Sequence, residues 1–185
     1  MKTKQTRPYR QGHLDGFCGL YSAINIVRYL NLLPSLASAE KLVIDCLEQL
    51  ESSEKMEVRF SEGTDPEEMT QLLKLVIQPK FGIKRKRPFH LTSKHILFED
   101  YVIGLRDFLA QGRGIVLVSL GGYHDHWSLI FKITKSSFHF YDSDGLSRLS
   151  FKNCQLENSH YPFDEASKTR THILDPYHTH FLWVD

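Results

Sequence analysis

The stretch Gln11-Gly-His-Leu-Asp-Gly-Phe-Cys18-Gly-Leu-Tyr-Ser-Ala-Ile-Asn25 places a cysteine between turn-forming residues and the start of an apolar helix. The backbone N–H groups in the first turn of a helix lack intrahelical partners, so they favour a thiolate over a thiol at that end. The glycines allow a substrate carbonyl to approach the backbone closely, and the N–H of Cys18 is suited to bind an oxyanion. We therefore predict that Cys18 is a nucleophile.

Two later segments supply the partners that a cysteine nucleophile needs. The apolar run His126-Trp-Ser-Leu-Ile-Phe131 opens with a histidine, and the next run, Phe138-His-Phe-Tyr-Asp142, ends with an aspartate. An imidazole can take the thiol proton, and a carboxylate can orient the imidazole and stabilise its charged form. The residues of the predicted catalytic triad are Cys18, His126 and Asp142.

Neighbouring residues compete for two of these roles. His124 falls in the turn before the strand, whereas His126 directly precedes the strand and is preferred. Asp144 is the alternative carboxylate, although Asp142-Ser-Asp-Gly145 is also an ordinary turn sequence. Trp127 is either a shield that keeps water from the imidazole or a core aromatic residue.

This set of residues resembles the papain-like cysteine peptidases, especially the compact bacterial type that processes bacteriocin leader peptides. The order of the three triad residues, with Gln11 upstream, carries the resemblance. The strings His126-Trp-Ser-Leu-Ile-Phe and Phe140-Tyr-Asp142-Ser-Asp-Gly are also similar to the His and Asp motifs of SUMO-type ubiquitin-like proteases. In those proteases the catalytic cysteine follows the histidine and the aspartate in the chain, so this chain would be a relative in which the order of the catalytic residues is permuted. The resemblance implies a papain-like fold.

The resemblance also assigns a role to Gln11. In papain-like enzymes a glutamine before the cysteine donates its side-chain amide to the oxyanion. Gln11 lies seven residues before Cys18, one more than the usual interval, and His13 is the alternative donor. No cofactor is expected, and the expected partner is a protein or peptide substrate whose chain end enters a narrow cleft. The glycines expected to line that cleft are Gly12, Gly16, Gly19, Gly121 and Gly122.

The composition limits the class of protein. The 185 residues are of single-domain length, so we expect one domain over 1–185. Lys and Arg number 23 against 22 Asp and Glu, and the net charge of +1 gives no electrostatic reason to expect nucleic acid or a membrane as partner. The basic N-terminus precedes no apolar run of signal-peptide length. We expect a cytoplasmic protein, or one exported without an N-terminal signal.

The other cysteines and histidines indicate no second chemical site. The three cysteines are an odd number without disulfide or zinc spacing, so reduced thiols are expected. Cys46 belongs to the apolar face of a predicted helix, and Cys154 lacks a glycine-rich approach, so both are assigned structural roles. The histidine-rich stretch 172–180 gives only a weak metal pattern, because no His-Glu-x-x-His helix or cysteine pair supports it.

The order of elements predicts an α+β fold, with an N-terminal helical part packed on a C-terminal, mostly antiparallel sheet. The expected helices cover 18–32, about 38–50, a segment that starts at Pro66 after a Thr64 or Asp65 cap, and 101–111. The expected strands cover 114–120, 126–133, 137–141 and 181–184. The segment 83–89 is a short strand or a loop. The role of 38–109, insertion for substrate recognition or helical half of the core, stays open.

These observations favour a cysteine peptidase that cleaves a peptide or isopeptide bond through a thioester. The same triad can serve glutamine deamidation or acyl transfer on a protein, and it does not discriminate among these reactions. A third hypothesis is a binding module that has kept the fold without activity. Faster reaction of Cys18 with iodoacetamide than of Cys46 and Cys154 would separate an enzyme from a binding module.

Overall fold

The computed structural model describes residues 6–12, 16–51, 63–92, 95–123, 125–157 and 172–185. The helices of this part of the chain are α1 Cys18–Tyr29, α2 Leu36–Glu51, α3 Pro66–Gln71, α4 Gln78–Phe81 and α5 Phe98–Ala110. The strands are β1 Lys84–Lys86, β2 Gly114–Gly122, β3 His126–Ile133, β4 Ser137–Phe140, β5 Arg148–Ser150, β6 Cys154–Leu156, β7 His172–Leu174 and β8 His180–Trp183.

Helix α1 buries one apolar face, as its sequence pattern predicts. Leu20, Ile24 and Val27 recur at helical spacing and are almost completely buried. The helix ends at Tyr29, earlier than the expected 32, because Asn31 adopts a positive φ of 58° that ends the helical geometry. The cysteine thus opens a helix that is anchored in the core.

Helix α3 begins where its sequence predicts. The Asp65 side chain accepts hydrogen bonds from two first-turn N–H groups, the Glu68 side chain accepts from the Asp65 N–H, and Pro66 follows the cap. The chain then widens into a π-helical stretch, Leu72–Ile77. Pro79 lies two residues after the end of this stretch, and its ring would clash with a carbonyl one turn earlier in a regular α-helix. The capping hydrogen bonds of Asp65 hold the end of the segment 63–65, which borders the candidate site.

The strands form one eight-stranded sheet in the order β1-β8-β2-β3-β4-β5, with β7 pairing to both β2 and β6. The β6–β7 pair is parallel and the other pairs are antiparallel, so the α+β class and the mostly antiparallel sheet are confirmed. The segment 83–89 contains a short strand, β1, that precedes α5, so helices and strands are less segregated than expected. Strands β5, β6 and β7 were not predicted.

Hydrophobic side chains cover both faces of this sheet. Along β2, Ile115 and Leu117 pack in a cluster with α1, α2 and α3, whereas Val116 and Val118 pack in a second cluster with α5. Successive residues of a strand point to opposite faces, so helices flank the sheet on both sides. The fully buried side chains of α2 and α3 place these two helices in the core rather than in a separate insertion.

No helix in the described ranges is long and apolar enough to cross a membrane.

Candidate active site

The Cys18 side chain lies at the N-terminal end of α1 and is 9% exposed. Phe17, which precedes the helix, has no side-chain oxygen with which to cap it. The first-turn N–H groups therefore remain directed toward the space in front of the thiol, where they favour negative charge.

A second segment packs tightly beside this helix end. A Cβ atom built on Gly19 would lie 2.5 Å from Thr64 Cβ, and one built on Gly63 would lie 3.0 Å from the carbonyl oxygen of Gly16. The Trp127 indole Nε1 donates a hydrogen bond to the Thr64 carbonyl oxygen over 2.7 Å. Residues 63–65 thus connect the cysteine helix to the strand that carries His126.

The His126 imidazole, which opens β3, contacts both of its expected partners. Its Nε2 lies 2.6 Å from Asp142 Oδ2, and the ring also forms a hydrogen bond with the Cys18 side chain. Because Nε2 faces Asp142, Nδ1 is the ring nitrogen left for the thiol. Burial lowers the pKa of His126, but the hydrogen bonds to Asp142 and Cys18 and the charges of these partners raise it to about 10.

Asp142 follows β4 and is almost completely buried. Its Oδ2 accepts hydrogen bonds from His126 and from Ser128 Oγ at 2.5 Å, and its Oδ1 accepts the N–H groups of Asp144 and Leu146, both at 2.8 Å. Burial raises the pKa of Asp142, but the hydrogen bond and charge of His126, with the other donors, hold it below its ordinary value. The carboxylate is therefore ionised opposite a protonated imidazole.

Ser128 is a residue of this site that the sequence analysis missed. Side chains two residues apart on a strand share a face, so Ser128 lies beside His126 and reaches the same carboxylate oxygen. The signal was present in the sequence as a hydroxyl residue two positions after the candidate histidine.

The alternative residues have different positions. Asp144 is exposed and contributes its backbone N–H to Asp142. His124 and His13 lie outside the described residues. Trp127 is 4% exposed and packs in the cluster around α1, which makes it a core aromatic residue with a polar contact to Thr64.

Gln11 joins the site through the loop that follows Asp142. Its backbone N–H donates to the Ser143 carbonyl oxygen over 3.2 Å, and its side-chain Oε1 accepts from Ser143 Oγ over 3.1 Å. This arrangement turns the amide oxygen toward Ser143 and leaves the amide nitrogen as the end that can donate to a ligand. Ser143 itself is 1% exposed, so the contact is held from within the protein.

The remaining thiols are poor nucleophiles. Burial, with the charge of Asp45 as a smaller contribution, raises the pKa of Cys46 to about 12. Burial raises the pKa of Cys154 to about 12 as well, and its thiol donates to the Ser150 carbonyl oxygen. Among the described residues, no group of three or more His, Cys, Asp or Glu side chains is placed to hold a metal ion.

A cleft of about 710 Å³ lies beside the triad. Its lining includes Asp125, which directly precedes His126, and Pro66, which follows the segment 63–65. Gly121 and Gly122 line it, whereas Gly12, Gly16 and Gly19, which the sequence analysis expected in the same cleft, are not among its lining residues. Cys18, His126 and Asp142 do not line the cleft themselves, and Asp125 is the lining residue that is bonded directly to the triad.

Comparisons with protein-family models, with curated protein sequences and with solved structures found no match to this chain.

Proposed function

We propose that this protein is a cysteine peptidase of papain-like fold that hydrolyses a peptide or isopeptide bond. The observation that supports it best is the chain of hydrogen bonds from the Cys18 thiol to the His126 imidazole and on to the Asp142 carboxylate. A nucleophile, a base within hydrogen-bond reach and a group that orients the base are the parts that acyl transfer requires.

In the first half of the reaction, Cys18 Sγ attacks the substrate carbonyl carbon, and the thiol proton resides on His126. The tetrahedral intermediate carries an oxyanion, which the N–H of Cys18 and the side-chain amide of Gln11 stabilise. His126 then gives its proton to the leaving amine, the C–N bond breaks, and a thioester to Cys18 remains.

In the second half, His126 takes a proton from water while the water oxygen attacks the thioester carbonyl. The C–S bond breaks, the carboxylic acid leaves, and the proton on His126 again stands opposite the Cys18 thiolate. Asp142 stays ionised throughout and holds the imidazole with Nε2 toward itself, so that Nδ1 faces the sulfur.

The test is digestion of a mixed peptide library, with new chain ends identified by mass spectrometry. We expect new ends with the wild type and with Cys46→Ala, the matched control, and none with Cys18→Ala. The same spectra register glutamine deamidation as a small mass gain without cleavage. Equal cleavage by Cys18→Ala would refute the proposal, and deamidation without cleavage would replace the peptidase with a deamidase.

A further inference from the structure

The cleft beside the triad has the size of a ligand site. Its volume of about 710 Å³ lies within the range of roughly 300–1,000 Å³ that is typical of such sites. Its lining includes the end of β2, where Gly121 and Gly122 present backbone instead of side chains, and the turn 175–178. Asp125 in this lining directly precedes His126, so the cleft begins one residue from the triad.

The charged residues of the lining have one sign. Asp125, Glu157 and Asp175 carry carboxylates, and among the described lining residues there is no lysine or arginine. Burial lowers the pKa of His178, and the charges of Arg87 and His90 lower it further against the opposing effect of Asp175, so the ring is neutral at neutral pH. The lining therefore carries negative charge.

Two of these carboxyl groups compete for a proton. Burial raises the pKa of Glu157, and the charge of Asp175 and a hydrogen bond with that residue raise it further. A cation placed between the two carboxylates would relieve their repulsion and stabilise both ionised forms.

The histidine beside these carboxylates offers no acceptor to a ligand. His178 Nε2 lies 3.8 Å from Asp175 Oδ2, and His178 Nδ1 is buried from solvent with no hydrogen-bond partner in the described part of the chain. The attraction for a ligand therefore comes from the carboxylates of the lining, which suit a cationic group.

We propose that this cleft binds the side chain of a lysine or arginine in the peptide substrate, close to the bond that Cys18 attacks. This proposal rests on the proposed peptidase function, because only a peptidase would have such a peptide as its substrate. The binding of the peptide can nevertheless be measured without turnover. Glu157 and Asp175 would supply the charge that selects the residue.

The test measures binding to the Cys18→Ala protein, which cannot form the thioester. The probes are two fluorescent hexapeptide pools, random except for one fixed position that is lysine in one pool and norleucine in the other. We expect the lysine pool to bind about tenfold more tightly, which corresponds to about 1.4 kcal/mol. Adding Glu157→Gln should remove most of this preference, whereas Glu99→Gln, which changes an exposed side chain of α5, should leave it intact.

A pH comparison adds a second readout. A bound cation favours ionised Glu157, so the lysine preference should increase from pH 5 to pH 8, and Glu157→Gln should flatten this dependence. Equal binding of the two pools, absence of binding by both, or a preference that survives Glu157→Gln would overturn the proposal. Wild-type cleavage of the same pools is scored separately: preferential binding without cleavage refutes the peptidase alone, and cleavage without any lysine preference refutes the cleft assignment alone.

Discussion

The carboxylate of Asp142 receives a hydrogen bond at each of four acceptor positions, two from side chains and two from backbone N–H groups. A buried charge is costly unless it is paired and hydrogen-bonded, and the Asp142 carboxylate has both a charged partner in His126 and a full set of hydrogen-bond donors. The donors also fix the plane of the carboxylate, so the imidazole it holds has one orientation. The orientation of His126 thus depends on a carboxylate that cannot easily turn.

We predict that Asp142→Asn loses most activity while the fold persists. The amide has one acceptor oxygen, so its NH₂ group must face donors, at a cost of about 1–3 kcal/mol in the free energy of unfolding. The neutral amide also cannot stabilise the imidazolium. Since His126 has a pKa of about 10 with Asp142 ionised, the alkaline limb of the pH–rate profile should move to lower pH in the variant.

The control for this variant is Asp144→Asn, which keeps the backbone N–H that donates to Asp142. It should retain wild-type activity and the wild-type alkaline limb. Full activity and an unchanged profile for Asp142→Asn would show that another residue orients the histidine.

A second prediction concerns Ser128. Its hydroxyl stabilises the negative charge on Asp142, so Ser128→Ala should make the carboxylate more basic and raise the pKa of His126 further. An NMR titration of the His126 ring in the Cys18→Ala background, with and without Ser128→Ala, measures this directly. Ser22→Ala, which removes a buried hydroxyl that donates to the Trp127 carbonyl oxygen, is the matched control. A downward shift, or the same shift in both variants, would contradict the role given to Ser128.

A third prediction concerns thiol reactivity. Cys18 contacts a protonated imidazole, whereas burial raises the pKa values of Cys46 and Cys154 to about 12, so iodoacetamide should label Cys18 first in the folded protein. Peptide mapping at neutral pH after short exposure measures the three rates. Equal or slower labelling of Cys18 would favour a binding module over an enzyme.

At the scale of elements, the site depends on the contact between the start of α1 and residues 63–65. We predict that Gly19→Ala lowers activity by orders of magnitude, because the added Cβ would lie 2.5 Å from Thr64 Cβ and must displace one of the two segments. Overpacking of this kind costs about 1–3 kcal/mol of stability. Adding Thr64→Gly, which removes the clashing atoms, should restore part of the activity, as measured in the library digest.

Thr64→Gly alone is the control for that rescue and should be milder than Gly19→Ala. If Gly19→Ala were as active as the wild type, the close approach of the two segments would be irrelevant to the site.

Sequence patterns predict elements whose signals are local. The apolar run of β3 and the Asp65-Pro66 start of α3 depend only on neighbouring residues, and the structure confirms both. Strands β5 to β7 have three residues each, too few for any periodicity to appear, and each is defined by its pairing: β5 with β4, β7 with β2, and β6 with β7.

The residues of the candidate site also fall into those with a local sequence signal and those without one. Cys18, His126 and Asp142 each carry a local signal, a helix start or a strand end, and the structure brings the three together. The packing of Thr64 against Gly19 joins segments far apart in the chain and leaves no local trace. Contacts of that kind arise from tertiary packing, which a single sequence does not reveal.

For the whole molecule, β8 is the strand that joins β1 to the rest of the sheet. It pairs with β1 on one side and β2 on the other, and it buries Phe181 and Leu182 in the two clusters. We predict that a chain ending at Thr179 does not fold cooperatively. It loses about 1.5–3 kcal/mol for each of these two side chains and the hydrogen bonds of both strand pairs, against a typical total stability of about 5–15 kcal/mol.

Circular dichroism melting and gel filtration measure this loss. Removing Asp185 alone is the control, because its ion pair with Lys84 is exposed and contributes less than about 1 kcal/mol. A chain ending at Thr179 that melts like the wild type would show that β8 is dispensable.

The position of β8 between β1 and β2 has a consequence for the timing of synthesis. Strands β2 and β3 are neighbours in the chain and can pair as soon as both leave the ribosome, but β2 must wait for β8 to gain its second partner. Leu182 from β8 completes the cluster in which Cys18 and Trp127 pack. A ribosome-bound chain that lacks β8 is therefore expected to have no assembled thiol site, and the chain ending at Thr179 reproduces this state after release from the ribosome. The thiol site of the proposed peptidase would then assemble only after synthesis has passed this strand.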